Sequence, residues 1–353
     1  MNQVGNNRLR ILYINCSVYD YLTATLIEGL TDLGHEVACS YDSNYGRAVK
    51  EASIHAFAEA ADLIVIGTNR GVDHYLLEQV TNPRIVAVDG SDQASFVVSP
   101  VPRVKAVFKR ELCAAEIHPE NNFIYPLPFA AERRYFTDRQ EKDLSVSFVA
   151  NMDTNPLRNS IHVRLLNRKD PHIFSGSTNE RTYSWGSPRA NAIKTTRYRE
   201  LLARSRISVN VPGAGYDCAR YWEILAARAM LFTYRPDIVI PNDFTDGVNC
   251  ATFSSMTEFQ EKLNYYLSNP DRVDAITEAG YKHLLAYHTS ARRAAYFLSL
   301  ALPAASRTSS CERFHSRDPG RLNLIARVVG NRNAWRARYI LTNSVRSCLG
   351  MLS

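Results

Sequence analysis

The chain has 353 residues, 45% of them hydrophobic, enough to furnish two domain cores. No run approaches 18 consecutive apolar residues and residues 1–9 lack the apolar stretch of a secretory leader, so the chain is expected to be cytoplasmic with no membrane span. Its 42 basic and 35 acidic residues leave a net charge of +7, and seven cysteines without a C-x-x-C pair argue against a disulfide framework or a zinc site.

In chain order, residues 10–15 (RILYIN) form an apolar run of strand length, and 21–33 have helical spacing that Gly34 stops. Strands follow at 36–40, 62–67 (DLIVIG), 84–89 (RIVAVD) and 104–109, with helices at 48–61 and 72–80. Strands and helices alternating at this pitch imply a parallel sheet covered on both faces. The pattern breaks at Pro126 and Pro128 and a charged stretch follows, so residues 1–130 are taken as a first domain and 131–143 as a linker. A second series then runs through strands at 144–149, 172–175, 207–211 and 230–234. Its helices are expected at 160–166, 198–203, 219–229, 256–268 and 271–287, giving a second domain over 144–303. The fold class is α/β, two Rossmann-like domains facing a cleft, followed by a basic tail.

That tail, 304–353, holds nine arginines against Glu312 and Asp318, so it carries the whole net charge and the remainder is balanced. Residues 322–349 have the spacing of a basic amphipathic helix interrupted by Trp335 and Tyr339. Such a helix suits peripheral contact with an anionic membrane, at about 1 kcal/mol per basic residue. A docked or disordered terminal helix is the alternative. No nucleic-acid module accompanies the charge, and no nucleic-acid partner is expected.

The chemistry concentrates in residues 207–234 (ISVNVPGAGYDCARYWEILAARAMLFTY). A buried strand ends in a Pro-Gly-x-Gly turn through Gly213 and Gly215, Tyr216 follows, and a helix opens near Asp217, a favoured N-cap. The N–H groups of a first helical turn attract an anion. Arg220 and Glu223, three apart, share one helix face. The arginine offers a bidentate fork for a diphosphate. Glu223 lies deeper, about 9 Å beyond the cap at 1.5 Å rise per residue, where a carboxylate meets the hydroxyls of a ribose. The bland alternative is an exposed ion pair worth a few tenths of a kcal/mol. A dinucleotide fingerprint at Gly213-x-Gly215 fails because Cys218 stands where the third glycine belongs.

Residues 207–288 resemble the C-terminal domain of group 1 GT-B glycosyltransferases, especially the branch related to the spore-maturation CgeB proteins. The shared pattern is Arg220-x-x-Glu223 with Leu225–Ala227, a loop at 241–248 (PNDFTDGV), a helix at 259–267 and the segment 279–289 (AGYKHLLAYHT). Residues 108–112 (FKREL) and 126–129 (PLPF) also resemble that branch. The resemblance implies a glycosyltransferase that moves a sugar from a nucleoside-diphosphate sugar to a glycan or lipid-linked acceptor, with no cofactor beyond that donor. It implies that Glu223 binds the donor ribose and that Arg220 holds the diphosphate. Arg158 is a second phosphate candidate, or a solvated helix-start arginine. Ser175, after a strand, would line the base pocket or serve a plain turn.

Retaining members of the wider group often carry two glutamates eight positions apart, and the position eight before Glu223 is Gly215. Inversion is therefore favoured, which needs a base across the cleft, from a loop at the carboxyl end of a strand in the first domain. Asp20, Asp89 and Asp92 are the candidates, each with helix capping or turn chemistry as its alternative. The chain has no Asp-x-Asp motif and no H-x-x-x-H pair, so metal use is not expected. His288 reads as a packed or capping residue. A nucleotide-sugar epimerase or hydrolase on the same fold, or a degenerate binding protein, are the alternative functions. The former would turn over donor without an acceptor.

Overall fold

The β-branched runs of the first half form the strands of one sheet. The computed structural model describes residues 8–15, 19–40, 51–68, 79–92, 103–117, 122–178 and 195–306. All lie in a compact unit, Met1–Cys311, while a second unit, Glu312–Ser353, lies outside the described residues, and with it the expected helix 322–349 and the membrane reading of the tail. The expected helix 72–80 is likewise outside them except for its last two residues, as are residues 16–18 of the first loop.

The first sheet has six parallel strands in the order β2-β1-β3-β4-β5-β6: β1 (Arg10–Ile14), β2 (Glu36–Cys39), β3 (Leu63–Gly67), β4 (Ile85–Asp89), β5 (Val107–Lys109) and β6 (Ile124–Pro126). Helix α1 (Tyr21–Asp32) and helix α2 (Glu51–Glu59) belong to this half. Gly34, at φ +86°, ends α1 in the left-handed conformation that favours glycine. The second sheet has five parallel strands in the order β11-β10-β9-β7-β8: β7 (Leu144–Ala150), β8 (Ile173–Ser177), β9 (Ser205–Asn210), β10 (Met230–Tyr234) and β11 (Ala251–Phe253). Its helices are α3 (Pro156–Leu166), α4 (Thr195–Arg204), α5 (Ala219–Ala226), α6 (Met256–Ser268) and α7 (Pro270–Tyr287). Helix α3 starts four residues before its expected position, because Asn155 caps it and Pro156 fits its first turn. β6 and β11 are short strands of three residues that the apolar pattern did not mark.

One domain boundary needs correction. Helix α8 (Ser290–Ala305) lies, but for its last two residues, within residues 144–303, expected to belong to the second domain, yet it packs into the first core. Ala294, Phe297, Leu298, Ala301 and Ala304 fill the space beside α1 and join Ile11, Leu26 and Phe108 in one buried cluster. The chain thus crosses between the halves twice, and the crossings lie side by side. Ala131 N–H donates to the His288 carbonyl at 3.0 Å, and the Ser290 hydroxyl donates to the Ala131 carbonyl at 3.1 Å.

In each sheet the chain begins in the interior and winds outward both ways. That leaves a crevice beyond the carboxyl ends of the two strands where the direction reverses, the usual ligand position in open α/β sheets. In the second sheet those strands are β7 and β9, followed by Arg158 in the first turn of α3 and by the 211–218 turn. The return of α8 depends on Gly29, where a Cβ would stand 2.0 Å from the Ser290 carbonyl oxygen and 2.9 Å from Ala294 Cβ. Replacing Gly29 with Ala is predicted to lower unfolding stability in urea by about 2 kcal/mol, the cost of overpacking a close helix contact.

Candidate functional site

A cleft of 340 Å³ opens at this crevice, lined by both halves of the chain. The second domain contributes Arg158, Cys218, Arg220 and Glu223, and the first contributes Asp92, Arg110 and Phe129. Three guanidinium groups therefore face one small volume.

Their donors are committed to different degrees. Arg158, 4% exposed, donates from Nε to the Pro212 carbonyl at 2.9 Å and from Nη1 to the Asn151 carbonyl at 2.9 Å. Its Nη2 reaches the Val211 carbonyl at 3.2 Å and Cys218 Sγ at 3.4 Å. It is a strut for the turn, and among the described residues it pairs with no carboxylate. Burial and the neighbouring Arg220 push it down to about 10, so it still adds positive charge to the cleft at neutral pH. Arg110 donates from Nε to the Gly90 carbonyl at 3.0 Å, pairs with Asp92 through Nη2 and with Glu111 through Nη1, and stacks on Phe129. Arg220 is the least committed: among the described residues its one hydrogen bond is a long 3.4 Å contact to Asn210 Oδ1, and its Nε has no partner there. Phe148 lies beneath it, with the guanidinium carbon 5.7 Å from the ring centre.

Arg220 and Glu223 are not the exposed ion pair of the bland alternative. Glu223 is 5% exposed and accepts from the Tyr198 hydroxyl at 2.7 Å, with Tyr135 as a second phenolic donor. Burial pushes its carboxyl above the usual range, against the pull of those phenols and of Arg220 and Arg134. A carboxylate at the bottom of a cleft, oriented by phenols, is fit to accept hydroxyls from a ligand.

The helix cap differs from expectation. Cys218 is the N-cap of α5 and makes no side-chain capping hydrogen bond, so the first turn keeps its N–H groups uncapped by a side chain. Asp217 was displaced from that role because its carboxylate is used elsewhere: Oδ2 accepts from Phe129 N–H and Oδ1 from Trp222 Nε1, both at 2.7 Å.

The two glycines make room for side chains, and Gly215 also lines the cleft. A Cβ on Gly213 would stand 2.8 Å from Arg158 Nη2, and one on Gly215 would stand 2.3 Å from Glu111 Oε1. Glu111, from the first domain, accepts the Tyr216 and Asp217 N–H groups, both at 2.9 Å. The carboxylate that the sequence lacks at position 215 is thus present beside it in space, and any side chain at 215 is excluded. Tyr216 is held by this contact and does not line the cleft. Neither does Ser175, whose hydroxyl turns to His162 Nδ1 at 2.7 Å, and Thr178 lines the cleft instead.

The three candidate bases separate clearly. Asp20 caps α1, accepting from Thr23 N–H and Oγ1, both at 2.9 Å. Asp89 is 1% exposed, pairs with Lys109 Nζ at 3.0 Å and accepts Ser91 N–H in a turn, so no acceptor reaches it. Asp92 lines the cleft with its side chain 58% exposed and its carboxylate oriented by Arg110. His288 is wholly buried as the C-cap of α7, its Nε2 on the Asn242 carbonyl and its Nδ1 on Arg293, and burial pushes it down to about 2.

Arg110, Glu111, Tyr135 and Tyr198 were not singled out from sequence. The segment FKREL was the available signal for the first two. Burial pushes the Glu111 carboxyl up to about 7, Asp217 adding to the effect while Arg110 and the two N–H groups oppose it. A carboxyl raised on folding from 4.5 gives stability that is complete below about pH 4.5 and lost as pH rises through about 7. Thermal melts of the native chain should therefore show a falling limb between those values. In Glu111→Gln that limb should flatten by up to about 3 kcal/mol, since each tenfold change in proton affinity corresponds to about 1.4 kcal/mol.

Residues 158–299 match a family model described as glycosyl transferase-like. Among curated protein sequences, none matches the chain. HepE of Anabaena, solved in complex with UDP-glucose, is similar over 83% of this chain and 100% of its own, at 12% identity and a TM-score of 0.56. An alpha-glucosyltransferase in complex with UDP-glucose and DNA containing an abasic site is similar over 84% of this chain and 100% of its own, at 11% identity and a TM-score of 0.55. A glycosyltransferase from Rickettsia africae covers 86% of this chain and 100% of its own, at 10% identity and a TM-score of 0.54. Likeness at such identity establishes architecture: the chain has the GT-B type of fold.

Proposed function

We propose that the chain is a glycosyltransferase of the branch related to CgeB proteins, taking its sugar from a nucleoside-diphosphate donor bound in the Arg220–Glu223 cleft. The observation that carries this reading is the pairing of an uncommitted Arg220 and an uncapped helical turn with a phenol-held, buried Glu223 in one cleft at the sheet's crevice. A diphosphate lies on Arg220 and the first turn of α5, and ribose hydroxyls donate to Glu223. The likeness to proteins solved with UDP-glucose supports a nucleotide sugar as the ligand class.

In the reading we favour, the acceptor hydroxyl attacks the anomeric carbon from the first-domain side while Asp92 takes its proton. The bond from that carbon to the diphosphate oxygen breaks, and the electron pair leaves with the diphosphate. Arg220, Arg158 and the helix N-terminus meet the developing negative charge. Inversion and independence from a metal belong to this proposal. The Glu111 carboxylate beside Gly215 removes part of the sequence argument for inversion, and the cleft-facing Asp92 takes its place as support. A glycan or lipid-linked acceptor is proposed from the resemblance and the nine-arginine tail.

UDP and UDP-glucose are predicted to raise the melting temperature of the native chain, and Arg220→Ala and Glu223→Gln to abolish that rise. A panel of nucleoside diphosphates and their sugars that stabilises nothing would refute donor binding. With donor and acceptor in hand, Asp92→Asn should lower kcat by at least about 100-fold, the usual contribution of a general base, with the donor KM little changed. An equal rise in KM at constant kcat would make Asp92 a binding residue.

A further inference from the structure

At the opposite ends of the second sheet's strands lies another cavity, of 290 Å³, lined by four cations and two carboxylates. Lys142 precedes β7, Arg206 is the second residue of β9, Arg228 precedes β10, and Arg139 comes from the segment leading into the domain. The carboxylates, Asp274 and Glu278, come from α7 and are both engaged. Asp274 pairs with Arg206 at 2.7 Å, and Glu278 divides itself between Arg228 at 3.8 Å and Lys282 at 3.5 Å. Arg139 forms no ion pair among the described residues and is exposed.

Arg228 is the unusual member. It follows the C-cap of α5 at φ +55°, a conformation that favours glycine and costs other residues of order 1 kcal/mol. Its guanidinium carbon sits over Tyr281, 3.7 Å from the ring centre, and its Nε is buried with no hydrogen-bond partner among the described residues. A strained backbone that holds a stacked arginine with an unmet donor is a poor solution for a helix end, where glycine serves better. It is a good solution for a planar fork that must stay in place. Beside it, the Lys142 ammonium is spent on two carbonyls, Ala203 at 2.7 Å and Ala227 at 3.2 Å, with a third donor left. Burial and the charge of Arg228 push Lys142 down to about 8, so an anion placed between the two would relieve them both.

We infer that this cavity is a second anion site, built to take the phosphate or diphosphate group of a small molecule between Arg139, Lys142 and Arg228. The inference is independent of what the cleft binds. A fork stacked on an aromatic ring and an ammonium as a point charge are the partners that phosphate oxygens use. The ligand would lie against the carboxyl end of α5, the helix that carries Arg220 at its start.

Calorimetric titration of the full chain with inorganic pyrophosphate tests this, in an Arg220→Ala background that weakens the cleft. Pyrophosphate should still bind. Arg139→Glu, an exposed charge reversal, should weaken it at least tenfold, and Glu278→Gln, which frees Arg228, should tighten it several-fold. Loss of all binding in the Arg220→Ala background overturns the site. So does unchanged affinity in Arg139→Glu, since the anion then sits in the cleft or on the tail. Should Arg139→Glu fail to fold, Glu278→Gln decides alone, and unchanged affinity there overturns the site as well.

Discussion

The arrangement of the cleft depends on one carboxylate from the first domain bonded to two backbone N–H groups of the second. Glu111 closes on Tyr216 and Asp217, its charge is met by Arg110, and Arg110 in turn reaches Asp92 and the Asp217 carbonyl. These are groups that cannot be left unpaired once water is excluded, since a buried carboxylate or guanidinium without partners costs several kcal/mol. The two sheets are therefore not merely adjacent across a crevice. They are tied at the turn that begins α5.

That tie explains features that looked unrelated. Gly215 has no side chain because the Glu111 carboxylate occupies the space. Asp217 does not cap α5 because it is the return half of the same knot, accepting from Phe129 of the first domain and from Trp222 of α5. With Asp217 withdrawn and Cys218 at the cap, the first turn of α5 faces the cleft without a competing side-chain acceptor. Arg110 and Arg158 are spent on structure, one on the knot and one on the turn's carbonyls, which leaves Arg220 with donors to offer. The proposed anion site thus rests on two arginines that do not let go and one that can.

How much of this was legible in the sequence follows from range. The strands, the parallel sheets and the strand–turn–helix unit around Arg220 and Glu223 are encoded over a few residues, so apolar runs and spacing suffice. Asp20 as an N-cap is local in the same sense. Glu111 and Arg110 find partners 105 to 107 residues away, and nothing in FKREL says which backbone it will meet. The same holds for α8: an alanine-rich amphipathic helix announces a buried face but not the domain that buries it. Spacing gave Asp89 and Asp92 equal standing as bases, and only burial separates the one locked on Lys109 from the one at the cleft. The phenols around Glu223 come from α4 and from the linker, so the carboxylate was visible but not its setting.

The central claim, that the cleft is a nucleotide-sugar donor site, is tested most directly by a crystal structure of the chain with UDP. The account predicts diphosphate density on Arg220 and the first turn of α5, with the ribose hydroxyls within hydrogen-bond distance of Glu223. UDP seated elsewhere, or held in the cleft with Glu223 touching neither ribose hydroxyl, would contradict it.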